Sequence, residues 1–180
     1  TIVSIFGGGI NKWYGLSINI IFFILCQLLL LLIGLQSFKS TKLAIITCVL
    51  WGFGTSAINN VIFIRMYVLF TLFVLCFSYY TIRIASSTQK NIRNYVILFT
   101  SILLGCLTHH YFLIYLFFHT LIYYLYFGVN KMYKYAINYS LTVIVGILSS
   151  LILFPATINH LFSSYRGQQA FHNFYFMNFM

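Results

Sequence analysis

Leu16-Ser-Ile-Asn-Ile-Ile-Phe-Phe-Ile-Leu-Cys-Gln-Leu-Leu-Leu-Leu-Leu-Ile-Gly-Leu-Gln36 carries no charge from end to end. A hydrocarbon layer of about 30 Å takes about 20 helical residues to cross. A helix is the economical way across, because each backbone polar group is satisfied within its own segment. The stretch reads as a membrane span, and the rest of the chain shares its composition. Of 180 residues, 62% are hydrophobic, 21% aromatic and 6% charged, with a single Pro; in a soluble domain roughly a quarter would be charged. The fold expected is all-α, a polytopic transmembrane helical bundle.

Working outward, six apolar segments emerge at about 16–36, 43–57, 61–84, 95–108, 109–129 and 136–155. The second and fourth are short for a full span, so each hairpin pairs a short arm with a longer one. Polar tips follow the short arms: Ser56, Asn59, Asn60 and Arg65 in one hairpin, Thr108, His109 and His110 in the other. Non-helical backbone at membrane depth is tolerated where it lines a protein-buried or watery cavity, so an outward-facing cavity at these tips is expected. No residue-level repeat underlies the shared shape.

Lys and Arg concentrate in cytoplasmic loops. Lys39 and Lys42, then Arg83, Lys90 and Arg93, then Lys131 and Lys134 occupy alternate connections, which assigns loops 37–42, 85–94 and 130–135 to the cytoplasm of a multi-pass cell-membrane protein. Lys12, Arg65 and Arg166 are left on the outer face, with His109, His110, His160 and His172. Cations on that side call for a local reason, and a phosphate-bearing ligand supplies one. The net charge of +10 is thus assigned to topology and membrane lipid, not to nucleic acid.

The chain has no Asp and no Glu. It therefore brings no carboxylate base or nucleophile, no Ser-His-Asp triad and no oxygen cage for calcium or magnesium. Cys26, Cys48, Cys76 and Cys106 lie inside apolar runs without metal spacing, so they are expected to be unpaired and buried, and no metal site is expected. No signal peptide is visible at the start. Opening on Thr1 and closing in an aromatic polar run, the chain reads as an internal fragment.

Arg65 sits within Val61-Ile-Phe-Ile-Arg-Met-Tyr67. It can snorkel to the interface or present its planar donor fork to a phosphate oxygen, with Asn59, Asn60 and Tyr67 close by in sequence. On a helix His109 and His110 point about 100° apart, so both face one ligand only if the backbone breaks. Mid-segment His119 reads as an interhelical hydrogen bonder. The polar tail 156–180, after the helix-stopping Pro155, reads as external and interfacial, with Arg166-Gly167 and His160 as ligand contacts in the alternative. Gly7-Gly8-Gly9 lacks the Lys and strand of a phosphate loop. Asn138-Tyr-Ser140 matches a glycosylation acceptor but falls within a helix on the cytoplasmic side. Gly146 and Ser150 have the small-x-x-x-small spacing of helix packing.

Phe63-Ile-Arg-Met-Tyr67, Gly105-Cys-Leu-Thr-His-His-Tyr-Phe112, and Phe154-Pro155 followed by His160 and Tyr165-Arg-Gly167 together resemble the multi-pass glycosyltransferases of the GT-C class, specifically bacterial relatives of the dolichyl-phosphate-mannose protein mannosyltransferases. The resemblance implies transfer of a sugar from a polyprenyl-phosphate donor at the extracytoplasmic face. The residues agree in kind: by predicted position Arg65 and Arg166 are candidates to stabilise the leaving donor phosphate, and His109, His110, Tyr67 and His160 to contact the sugar or headgroup. In that family an acidic residue of the first external loop acts as base or metal ligand. This chain has no such residue, so no catalytic residue is expected within it, and a divalent metal would belong to a longer protein. A lipid-linked sugar flippase or other transporter, and a non-catalytic membrane scaffold, are the other readings the composition allows.

Overall fold

The uncharged run that opened the sequence folds as a single helix, α1 (Lys12–Phe38). In the computed structural model, which describes residues 12–62, 66–86, 91–109 and 111–155 apart from the Lys12 side chain, it is followed by α2 (Thr41–Gly52), α3 (Thr55–Ile62), α4 (Tyr67–Ser86), α5 (Ile92–Thr108), α6 (Tyr111–Val129) and α7 (Tyr133–Leu153). No strand occurs among the described residues. α1, α4, α6 and α7 are long and apolar enough to cross a membrane; α2 and α3, bent by 56° at their junction, are so only as a pair, the form of a broken span or of a re-entrant loop, and α5 is shorter. At 17 residues, α5 reaches about 25 Å.

Large apolar side chains line the outside: Leu50 is 72% exposed and Ile152 77%. The buried faces hold Asn19, Thr81, Asn94, Ser101 and Ser150 among apolar residues such as Phe77, Leu98, Ile102 and Phe112. An apolar outside around an interior that includes polar groups departs from the usual order of a water-soluble protein. It is the order hydrocarbon selects, because lipid solvates Leu and Ile as well as a protein interior does, leaving close packing and polar pairing to hold helices together. These helices make the chain a membrane protein.

Buried positions on α5 recur at intervals of three and four, from Asn94 and Tyr95 through Leu98, Ser101 and Ile102 to Gly105 and Cys106. On α7 the matching stripe is Ala136, Tyr139, Val143, Gly146 and Ser150. These stripes meet: a Cβ on Gly146 would come within 2.7 Å of Ile102 Cγ2, so glycine permits the approach of α7 to α5. α5 also packs on α4, α4 on α1, and α1 on α2, while α6 fits against α4, α5 and α7. On α1 the buried residues Asn19, Cys26 and Gly34 form one helical stripe.

Several boundaries differ from the sequence reading. The segment expected at 43–57 breaks at Phe53-Gly54, and the residues expected to form a hairpin tip, Ser56, Asn59 and Asn60, lie in the helix α3. Val61 and Ile62 close α3 instead of opening the next span, which begins at Tyr67. The Val61 carbonyl accepts a hydrogen bond from Asn19 Nδ2 at 3.1 Å, supplying a partner that a helix end lacks. α5 starts earlier than expected because Asn91 caps it, its side chain accepting from the Arg93 N–H at 3.0 Å. α7 ends at Leu153, since the residue before a proline disfavours the helical region. All four cysteines are free, but only Cys26 and Cys106 are buried; Cys48 and Cys76, expected to be buried, are partly exposed because they lie beside, not on, the packed stripes.

The chain reverses at every connection except the α2–α3 bend, so Lys39, Lys42, Arg83, Arg93, Lys131 and Lys134 gather at one end of the bundle. At the opposite end lie the end of α3, the start of α4 and the α5–α6 junction, while the α2–α3 bend sits deeper, beside the middle of α1, where Trp51 stacks on Phe23 at 5.4 Å. Lys90 and the tail 156–180 lie outside the described residues.

Candidate functional site

Of the residues singled out at the end away from the cations, Tyr67 and His109 are described; Arg65, His110, His160 and Arg166 lie outside the described residues. Tyr67 begins α4 and His109 follows the last residue of α5. They are distant in sequence, yet their rings meet with centroids 6.1 Å apart. Phe70, one turn into α4, sets its edge against the imidazole at 5.8 Å, and Tyr111 covers it at 4.6 Å.

The backbone does break at His109, which is extended at φ −157° and ψ 132°. The break is held on both sides. His109 N–H donates to the Gly105 carbonyl at 3.1 Å, and the His109 carbonyl accepts from Phe112 N–H at 2.9 Å. The ring is fixed as well, because Nδ1 accepts from Tyr111 N–H at 3.2 Å. A ring nitrogen that accepts carries no proton, so the neutral imidazole bears its hydrogen on Nε2. That nitrogen is a donor suited to a phosphate or sugar oxygen.

Gly105 and Phe112, the ends of the quoted histidine motif, have a structural task of their own. A Cβ on Gly105 would lie 2.6 Å from the Phe112 ring. That ring is fully buried and is held edge-on between Phe70 and Phe77, with centroids at 6.1 and 6.2 Å. The spacing of the motif thus closes the α5–α6 junction and presents His109, whatever ligand it meets.

A second polar group lies deeper. His119, near the middle of α6, stacks on Tyr123 at 4.7 Å and meets the edge of Phe77 at 4.8 Å. Its Nδ1 is 3.4 Å from the Tyr139 hydroxyl on α7. One turn earlier on α6, Tyr115 shares a 2.5 Å hydrogen bond with Ser78 of α4. Polar contacts therefore tie α6 to both neighbours, the interhelical role read for His119 from its place in an apolar run. Sequence inspection missed the Ser78–Tyr115 pair and the Asn19 contact. A signal for the second existed, since Asn19 interrupts the apolar run that decided the fold.

No group of three or more His or Cys side chains that could hold a metal occurs among the described residues. The chain matches no protein-family model, no curated protein and no solved structure.

Proposed function

We propose that the chain is the multi-pass membrane part of a glycosyltransferase, taking a sugar from a polyprenyl-phosphate donor at the end of the bundle where α4 begins and α5 ends, with the cationic end in the cytoplasm. The observation that carries this reading is the meeting of Tyr67 and His109 at a backbone break. Transfer breaks the bond between the anomeric carbon and the phosphate oxygen, and negative charge grows on the leaving polyprenyl phosphate. Preorganised donors lower that barrier. His109 offers Nε2–H, Tyr67 its hydroxyl, and Arg65, two residues before Tyr67 in the chain, a guanidinium. The proton of the attacking acceptor hydroxyl goes to a carboxylate outside these 180 residues, and any divalent metal would be held there too.

The test uses the full-length protein in vesicles supplied with a radiolabelled polyprenyl-phosphate sugar. Release of polyprenyl phosphate should fall about ten-fold in His109→Ala, the loss of one hydrogen bond to a charged group, and further in Arg65→Ala. Unchanged turnover in both variants would sink the proposal. One feature favours a transporter instead: the bent pair α2–α3, since broken helices often frame transport sites. Movement of intact donor across the membrane without cleavage would establish that reading in place of transfer.

A further inference from the structure

At the cationic end, far from Tyr67 and His109, a groove of about 320 Å³ runs between α5 and α7, lined by Ile92, Tyr95, Val96, Phe99, Leu141, Thr142 and Val145. Its walls face outward: Ile92 is 74% exposed, Val96 55% and Leu141 55%. From Ile92 to Phe99 the groove runs along about 10 Å of helix, well within one leaflet of a layer about 30 Å thick. The surrounding solvent at that depth is acyl chain.

Charge marks one end of the groove. Lys134 lies seven residues before Leu141 and eleven before Val145, the spacing that puts all three on one face of α7. Lys134 is exposed, and the chain has no carboxylate side chain to pair with it. Counter-charge must come from outside the chain. Tyr133, beside Lys134 and 63% exposed, is the amphipathic residue that settles at headgroup level. Tyr95, nine-tenths buried along the groove, has a hydroxyl with no hydrogen-bond partner among the described residues.

We infer that this groove holds one anionic phospholipid, its headgroup phosphate against Lys134 and an acyl chain along Val96, Phe99, Leu141 and Val145. A zwitterionic lipid fills the apolar part equally well but offers no net charge to Lys134. The site therefore selects by headgroup and retains by tail.

Native mass spectrometry of the protein released from nanodiscs of phosphatidylglycerol and phosphatidylcholine in equal amounts reads both halves. Phosphatidylglycerol should be the lipid retained. Enrichment should fall by roughly five-fold in Lys134→Gln. Val145→Trp, which fills an outward-facing position and leaves the helix stripe intact, should reduce the number of retained lipids by one. Equal retention of the two lipids would overturn the headgroup half. Retention unaltered by Val145→Trp would overturn the groove as the place of binding, whatever Lys134→Gln does.

Discussion

At the cationic end α1 passes into α2 across Lys39 and Ser40, and α6 into α7 across Asn130, Lys131 and Met132; away from it the path is irregular, with a 56° bend between α2 and α3 in the middle of the bundle and an extended residue between α5 and α6 at the far end. The cationic turns are tight enough to force Lys39 and Lys131 to φ values of 52° and 56°. Ordinary residues avoid that region, and its usual occupants after a helix are Gly and Asn. Among the described residues of the far end the backbone deviates without positive φ, held by specific partners: Gly105 and Phe112 around His109, Asn19 beneath Val61. One end reverses the chain by local strain, the other by tertiary contacts. A ligand site needs the second kind of construction, because what holds the side chains also fixes their direction.

The contrast is broken most directly at two glycines. Gly105 stands under the fully buried Phe112 ring, whereas a Cβ on Gly128, near the cationic end, would meet nothing within 4 Å. Gly105→Ala should destabilise the protein by about 1–3 kcal/mol as Phe112 is displaced. Gly128→Ala should be neutral or stabilising by up to about 1 kcal/mol, the helix-propensity gain. Unfolding by denaturant in mixed micelles measures both. If Gly105→Ala gains stability as Gly128→Ala does, the far end is not held in the way described.

A second comparison isolates the strain at the cationic end. Lys131→Gly and Lys131→Ala both remove the charge, but only glycine adopts positive φ freely. The glycine variant should be the more stable by about 1–2 kcal/mol, the cost of a left-handed residue bearing a Cβ. Equal stabilities would show that the turn relaxes and stores nothing.

What was legible in the sequence follows from the same physics. Long uncharged runs such as 16–36 declared helices, because only a helix closes its own hydrogen bonds in hydrocarbon. Their buried faces were harder to see. In water the packed face is the apolar one, but here nearly every face is apolar, and small or polar residues mark the packed side instead. Gly146 and Ser150 gave that signal by their spacing, and both prove buried on α7. Asn94 and Ser101 on α5 carried the same signal without an obvious pair. The bend at Phe53-Gly54 was not legible: Gly54 is a weak local breaker, and what shapes the end of α3 is Asn19, 42 residues away. Nor could adjacency in sequence tell that His109 leaves the helix, since the anchor for that break is the Gly105–Phe112 fit.

Asn19→Leu tests the long-range contact at the far end. It removes one hydrogen bond to a helix-terminal carbonyl and should cost about 1 kcal/mol, within the range of polar contacts in membrane bundles. Amide exchange should quicken in α3 and stay unchanged in α7. Uniform quickening throughout the bundle would mean that Asn19 supports the whole fold and not the local break.

The smallest effect is expected at His119, where the two ends are joined by the interior. The Tyr139 ring packs at 5.8 Å against Phe127 and at 6.3 Å against Phe77, and Tyr139→Phe retains that packing while deleting the hydroxyl beside His119. At 3.4 Å the contact is long for a hydrogen bond, and interhelical pairs of this kind average about 0.6 kcal/mol because the membrane-unfolded state also finds partners. A stability loss near that figure, with donor turnover unchanged, assigns His119 to holding α6 on α7. If turnover or lipid movement falls in Tyr139→Phe while stability holds, His119 serves the ligand's path, and the polar interior becomes a working part of the site instead of its frame.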